Sequence, residues 1–232
     1  MAQQNLIIGA ADAKEGDTYF DAFTKTQANF TELYTDVGEN TEAIVVNVTD
    51  ISAIITAMKT RASFGNTVAA TGVIQAALTG TGDVLLPPPP TPQPETGGNY
   101  NGYIRVDGLV EISAMGELSV TNGALVIGAN GDGDYRAPHA WVGMSSSTTA
   151  TTVGFIFGIV KLSDGLIHFS QRVTGGRMAA QDSLTNVSGG GFVFGLETGD
   201  TLSMWVAADK TATVTIYDMN IGLEMAIAES LK

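Results

Sequence analysis

The chain carries two histidines, His139 and His168, and no cysteine. Thiolate metal sites and disulfides are therefore excluded, and a histidine metal site would need further ligands close by. His168 stands in an alternating run, 165–171 (GLIHFSQ), which reads as a strand; His139 stands in APHAW, which reads as a loop. Neither has a second ligand at helical or hairpin spacing. Residues 129–137 (ANGDGDYRA) are the best ion-binding candidate, because Asn130, Asp132 and Asp134 alternate as calcium ligands do. An EF-hand asks for glycine at its sixth position, where Tyr135 stands, and glutamate at its twelfth, where Trp141 stands. The stretch therefore reads as a turn of the Asn-Gly and Asp-Gly kind. There is no Gly-x-Ser-x-Gly elbow, no phosphate-binding glycine loop with lysine, and no dinucleotide fingerprint. Carboxylate pairs such as Glu111 with Glu117, or Glu197 with Asp200, can be assembled by folding, but nothing in their spacing selects them. We expect a non-enzymatic chain with no catalytic residues, no metal and no cofactor. Tyr100, Tyr103, Tyr135 and Trp141 are aromatics near loops, suited either to glycan contacts or to core edges.

Composition points to turns and strands. Charged residues are 15% of the chain, against roughly 25% in average domains, and 28 of 232 residues are glycine. The net charge of −13 repels a polyanion, so nucleic acid is not an expected partner. The first residues lack a basic segment followed by a long apolar run, so no signal peptide is expected. No apolar run approaches the roughly 20 residues that span a membrane, so no membrane insertion is expected. Leu6, Ile7 and Ile8 suit a short strand or a groove plug on a partner.

The elements fall into three blocks. Residues 1–65 are expected to form an anchor of two helices. The first runs from about Asp17 to Val37, with Asp17 or Thr18 as N-cap and Gly38 as C-cap; the second runs from about Thr41 to Arg61. Phe20, Gln27, Tyr34, Thr41, Val48 and Ile55 fall seven apart, and Phe23, Phe30, Val37, Ile44, Ile51 and Met58 do so in the complementary phase. This is a coiled-coil seam, cleanest at Ile44, Val48, Ile51, Ile55 and Met58, and isoleucine at both seam positions favours three or four strands. The alternative is an amphipathic hairpin packed on its own domain. Residues 66–98 read as a connector and proline-rich linker: six of the seven prolines lie between Pro87 and Pro94. Such a run takes the extended polyproline form of a semi-rigid spacer, with Gly97 and Gly98 restoring flexibility. Residues 99–232 alternate with period two through eight or so short strands with Gly, Asn and Asp turns, the pattern of a β-sandwich or jelly roll.

Residues 16–38 (GDTYFDAFTKTQANFTELYTDVG) closely resemble the amino-terminal segment of many bacteriophage fibre and virion proteins. There, a Gly-Asp-Thr start leads into Asp-Ala-Phe-Thr-Lys, Asn-Phe and Glu-Leu-Tyr. Here these are Gly16, Asp17 and Thr18, then Asp21 to Lys25, Asn29 and Phe30, and Glu32 to Tyr34. The resemblance covers about twenty residues and implies a virion structural protein. Further on, 192–206 (FVFGLETGDTLSMWV) and 213–226 (TVTIYDMNIGLEMA) are similar in pattern to the trimeric jelly rolls of the tumour-necrosis-factor and C1q type. That likeness implies a trimeric head.

Together these readings predict a mainly β protein: a jelly-roll head preceded by a helical, coiled-coil anchor and a proline-rich neck. The expected function is a homotrimeric capsid decoration or head-fibre protein of a phage virion, made in the host cytoplasm and released by lysis. Phe20, Phe23, Phe30 and Tyr34 would bind the major capsid protein or another virion protein. Ile44, Val48, Ile51, Ile55 and Met58 would hold the trimer. The alternative is a short tail fibre or spike whose head binds a host-surface receptor or glycan.

Overall fold

The computed structural model describes residues 19–66, 72–82, 84–94 and 100–228. The expected N-cap, the apolar triplet at 6–8, the Phe20 side chain and the glycines at 97 and 98 lie outside the described residues. The chain divides into two units, Met1–Ser52 and Ala53–Lys232.

One helix, α1 (Tyr19–Lys59), replaces the two expected ones. Gly38 does not cap it. A glycine cap needs the left-handed backbone, and Gly38 is not among the glycines with positive φ. Glycine inside a helix costs roughly 1 kcal/mol relative to alanine, which a helix of 41 residues absorbs. Just beyond it, the Thr41 hydroxyl donates to the Val37 carbonyl at 2.8 Å, so the turn containing Gly38 remains helical.

The second unit is a two-sheet sandwich. Its strands are β1 (Arg61–Asn66), β2 (Ile74–Leu78), β3 (Gln93–Pro94), β4 (Ile104–Arg105), β5 (Val110–Met115), β6 (Leu118–Thr121) and β7 (Ala124–Ile127), followed by β8 (Gly133–Ser146), β9 (Thr151–Val160), β10 (Leu166–Met178), β11 (Thr185–Leu196), β12 (Thr201–Ala208) and β13 (Ala212–Ala228). The first sheet has the order β11-β8-β13-β1-β5, with β2 also on β13; the second has β3-β10-β9-β12-β7-β6, with β4 also on β12. The eight principal strands, β1 and β7 to β13, take the jelly-roll order, switching sheets at every connection except the β9–β10 hairpin: β1-β13-β8-β11 faces β7-β12-β9-β10. The core between the sheets is built from inward positions such as Phe64, Tyr135, Phe155, Phe157, Met204 and Ile221.

Two expected boundaries change. The sandwich begins at Arg61, not at 99: β1 lies between β13 and β5, and β2 pairs with β13. Nor is the proline run a free spacer. Pro94 and Gln93 pair with Leu166 and Ile167 of β10. Tyr103 Oη donates to the Leu86 carbonyl at 3.2 Å, Asn101 Nδ2 to the Pro87 carbonyl at 3.1 Å, and Tyr100 Oη to the Pro94 carbonyl. Leu85 and Tyr103 are buried with Ile156, Ile167, Trp205 and Ala207, forming a second core on the outward face of the second sheet. Prolines supply carbonyls but no N–H, so side-chain donors can staple such a segment. This strap explains why β12 is buried on both faces and reads as a nearly unbroken apolar run.

Candidate interaction surface

The residues expected to bind partners lie on α1, and most are open to water. Phe23 is 60% exposed, Tyr34 75%, Ile51 55% and Met58 76%; Phe30, Ile44, Val48 and Ile55 are exposed as well. The helix satisfies its own polar groups. Thr31, Thr35, Thr49 and Ser52 donate to the carbonyls four residues earlier, at 2.9–3.0 Å. Such back-bonds leave the hydroxyls without need of a partner. What remains unmet is apolar area.

That area is wider than the expected seam. Leu33 and Ile54 fall at the heptad position just before one seam residue, and Val45 at the position just after another; all three are exposed. A stripe of this width buries more side chain in bundles of three or more helices than in a pair. Its two halves differ in kind. Phe23, Phe30 and Tyr34 are bulky and accompany Gln27, whereas Ile44, Val48, Ile51, Ile55 and Met58 are aliphatic. The expected anchor and the expected trimer contacts thus share one heptad phase.

The sites considered for chemistry are used for structure. The His139 ring lies against Gly222, where a Cβ would come within 2.3 Å of it, and Nε2 is 3.3 Å from Asn220 Oδ1. His168 Nε2 lies 3.1 Å from Asp164 Oδ2. Asp164 also accepts from the Leu166 N–H at 2.8 Å, and that backbone bond, then the one from His168, lowers its pKa. In the 129–137 stretch each carboxylate is occupied. Asp132 Oδ1 accepts from Thr198 N and Oγ1 at 2.6 and 2.7 Å, and Asp134 Oδ1 accepts from Gly195 N at 2.8 Å. These bonds clamp the turn before β12 to the start of β8. Among the described residues, no three His, Cys, Asp or Glu side chains converge to hold a metal ion.

Of the carboxylate pairs, Asp200 is fully buried. It receives Lys161 Nζ at 2.7 Å, Leu162 N at 3.0 Å and Glu197 N at 2.9 Å. Buried and held by three donors, Asp200 ties the end of β9 to the turn before β12. Of the four loop aromatics, Tyr103 and Tyr135 are core residues. Tyr100 stacks obliquely with Phe169 and Trp205, centroids 5.5 and 5.7 Å apart. Trp141 is half-buried on β8, opposite Ser188 and Asn220.

A further set of exposed apolar residues escaped the sequence reading. Val110, Ile112 and Met115 lie on edge strand β5, and Phe192 on edge strand β11. Only the strand order shows that these are the two edges of one sheet. Among the described residues, no helix is long and apolar enough to cross a membrane.

No protein-family model matches this chain, and no curated protein sequence matches it. Among solved structures, it is similar to the Eiger TNF of S. frugiperda, with a TM-score of 0.49 and 14% identity over 74% of this chain and 95% of that one. It is also similar to murine APRIL at pH 5.0, with a TM-score of 0.40 and 14% identity over 66% and 97% of the two chains. PRD1 vertex protein P5 gives a TM-score of 0.37 and 12% identity over 72% and 96%.

Proposed function

We propose that this chain is a non-enzymatic structural protein of a bacteriophage particle, a homotrimeric capsid decoration or head-fibre protein that attaches through its amino-terminal segment. The observation that carries the reading is the open aliphatic seam of α1, Ile44, Val48, Ile51, Ile55 and Met58, repeated at heptad spacing. A second and third copy are the occupants such a seam fits: the residues recur at the coiled-coil period, and isoleucine at both seam positions favours more than two strands. The bulky half, Phe23, Phe30 and Tyr34, fits a narrow three-helix core less well and is assigned to the contact with the major capsid protein or another virion protein. The resemblance of residues 16–38 to phage fibre and virion segments supports that assignment. Three linked anchors then hold by avidity.

Light scattering on the intact chain tests the trimer: the expected mass is three times 24.1 kDa, and a monomer would overturn it. Antibodies against the jelly roll, imaged on intact particles, test the location. Label over the capsid fits decoration. Label on the tail would make the protein a short fibre or spike, and no label on any particle would remove the virion reading.

A further inference from the structure

At the end of the sandwich opposite Thr60, three strands of the second sheet stop side by side. The Thr60 carbonyl accepts from Met225 N near the close of β13, whereas β13 opens at Ala212. Beside that opening lie the β12–β13 turn, the start of β9 and the end of β10. Arg177 stands directly across from Thr152 in the β10–β9 ladder. Asp209 follows β12 and is tied to the same threonine: Thr152 N donates to Asp209 Oδ1 at 2.8 Å, and Asp209 N donates to the Thr152 carbonyl at 3.0 Å. A cavity of about 310 Å³ opens over this row, lined by Ala150, Thr152, Arg177, Asp209 and Lys210.

Its cations are unspent. Arg105, Arg136 and Lys161 each stand against a carboxylate. Among the described residues, Arg177 and Lys210 have no carboxylate at ion-pair distance. Arg177 is exposed. Lys210 is half-buried, and its ammonium donates to the Thr149 carbonyl at 3.3 Å, a long bond that a better acceptor can replace. The Thr152 hydroxyl, also half-buried, makes no hydrogen bond among the described residues. Asp209 is 6% exposed and one of its oxygens is committed to Thr152, so it supplies charge to the pocket rather than a contact. Two cations gathered at one cavity repel each other, and a bound anion relieves that repulsion.

We propose that this pocket binds the carboxylate of a sugar acid. The guanidinium offers a carboxylate two parallel N–H groups, and the ammonium adds a donor from the other side. Arg177 and Lys210 against Asp209 leave one net positive charge in the lining, which matches a monoanion. A phosphate group carries a second charge near neutral pH and would leave it unmatched. Ala150 is the one apolar residue of the lining, so a fatty acid or an acidic peptide finds no wall for its tail or side chains. A compact ring bearing hydroxyls needs none, and can exchange hydrogen bonds with Thr152. The volume lies at the low end of small-molecule pockets, roughly 300–1,000 Å³, and suits one ring. This inference does not depend on where, or whether, the chain sits on a particle.

The test uses the full chain and saturation-transfer NMR with D-glucuronate, D-galacturonate and N-acetylneuraminate. D-glucose, D-galactose and inorganic phosphate are run beside them, phosphate by its displacement of a bound acid. At least one acid should bind saturably, and more weakly as salt is raised. Arg177→Ala and Lys210→Met should each weaken it about tenfold, the effect of losing a charge-assisted hydrogen bond. Arg177→Lys should recover part of the loss. Arg136→Ala removes the same charge from the other sheet and should leave binding unchanged, with circular dichroism native in every variant. The proposal is wrong if no acid saturates the signal up to roughly 20 mM, if the neutral sugars bind as well as the acids, or if Arg177→Ala and Lys210→Met bind as the native chain does. Phosphate that binds more tightly than every acid would also overturn it, leaving a simple anion site.

Discussion

Replacing Ile51 with aspartate should dissociate the proposed trimer and leave the jelly roll intact. Fully burying an isoleucine is worth about 1.5–3 kcal/mol. Ile51 retains 55% of its exposure, so about 1–1.5 kcal/mol per chain is left to be gained on assembly. In a threefold bundle three copies meet in one layer, which gives about 4 kcal/mol, roughly a thousandfold in the association constant. The carboxylates add repulsion and the cost of burying unpaired charge, several kcal/mol more. Ile51→Asp should therefore be monomeric at micromolar concentration by sedimentation equilibrium, while the sandwich melts as in the native chain. Val46→Asp is the control: Val46 is equally exposed but falls outside the seam, so its trimer should persist. If Ile51→Asp stays trimeric, or if Val46→Asp dissociates equally, the heptad reasoning is refuted and assembly belongs to another surface.

Three further outcomes follow from the geometry. Phe23→Ser with Phe30→Ser should abolish incorporation into particles, scored by immunoblot of purified virions, while mass and jelly-roll melting stay native; normal incorporation removes these residues from the anchor. Asp200→Ala leaves the N–H groups of Leu162 and Glu197 without their acceptor, while Lys161 keeps the Gly195 carbonyl and Glu197. It should cost about 2–4 kcal/mol in urea unfolding, and a loss under about 1 kcal/mol would show that Asp200 does not hold that turn. Tyr135 donates to the Gly131 carbonyl at 2.5 Å, and burial first, then Asp132 and Glu117, raise its pKa well above the ordinary phenol range. A raised folded-state pKa means that its contribution is complete below about pH 10 and is lost as pH climbs further. Urea midpoints between pH 8 and 11 should therefore fall more steeply for the native chain than for Tyr135→Phe; Tyr103, also raised by burial, keeps some slope in both.

How much of this was legible depended on how local each cause was. The late strands were readable because β9, β10 and β12 have dense apolar runs whose period or continuity follows from local burial. Strand β8 was not. Its inward residues are Tyr135, Ala137, Ala140, Val142 and Met144, so the alternation slips by one at Pro138 and His139. The slip is a bulge, marked by the register shift opposite Gly189 and Gly191 of β11. A bulge is where a sheet tolerates proline, but a sequence with a broken period, a proline and two charges reads as a loop. Strand β13 runs unbroken over seventeen residues, with bulges absorbing its phase changes, so its length does not follow from a period-two count. The strap was illegible for a different reason: polyproline has the same local geometry whether it is free or stapled. What staples it are Tyr100, Asn101 and Tyr103, up to seventeen residues away.

The junction after α1 bears most directly on the proposed role. The sequence pattern suggested a neck between helix and head, but the helix ends at Lys59 and β1 begins at Arg61. Thr60, the single residue between them, is fully buried. Its N–H and hydroxyl both donate to the Thr56 carbonyl, at 2.9 and 2.8 Å, and its own carbonyl accepts from Met225 N of β13 at 3.0 Å. Gly116 has positive φ and lies where a Cβ would stand 2.7 Å from the Thr60 hydroxyl, so only glycine lets the β5–β6 turn close over this residue. The last turn of the helix is thereby tied into the first sheet by hydrogen bonds on both sides of one residue. The prolines, by contrast, belong to the sandwich: Tyr100 and Asn101 hold the Pro94 and Pro87 carbonyls, and Pro94 pairs with Leu166 of β10.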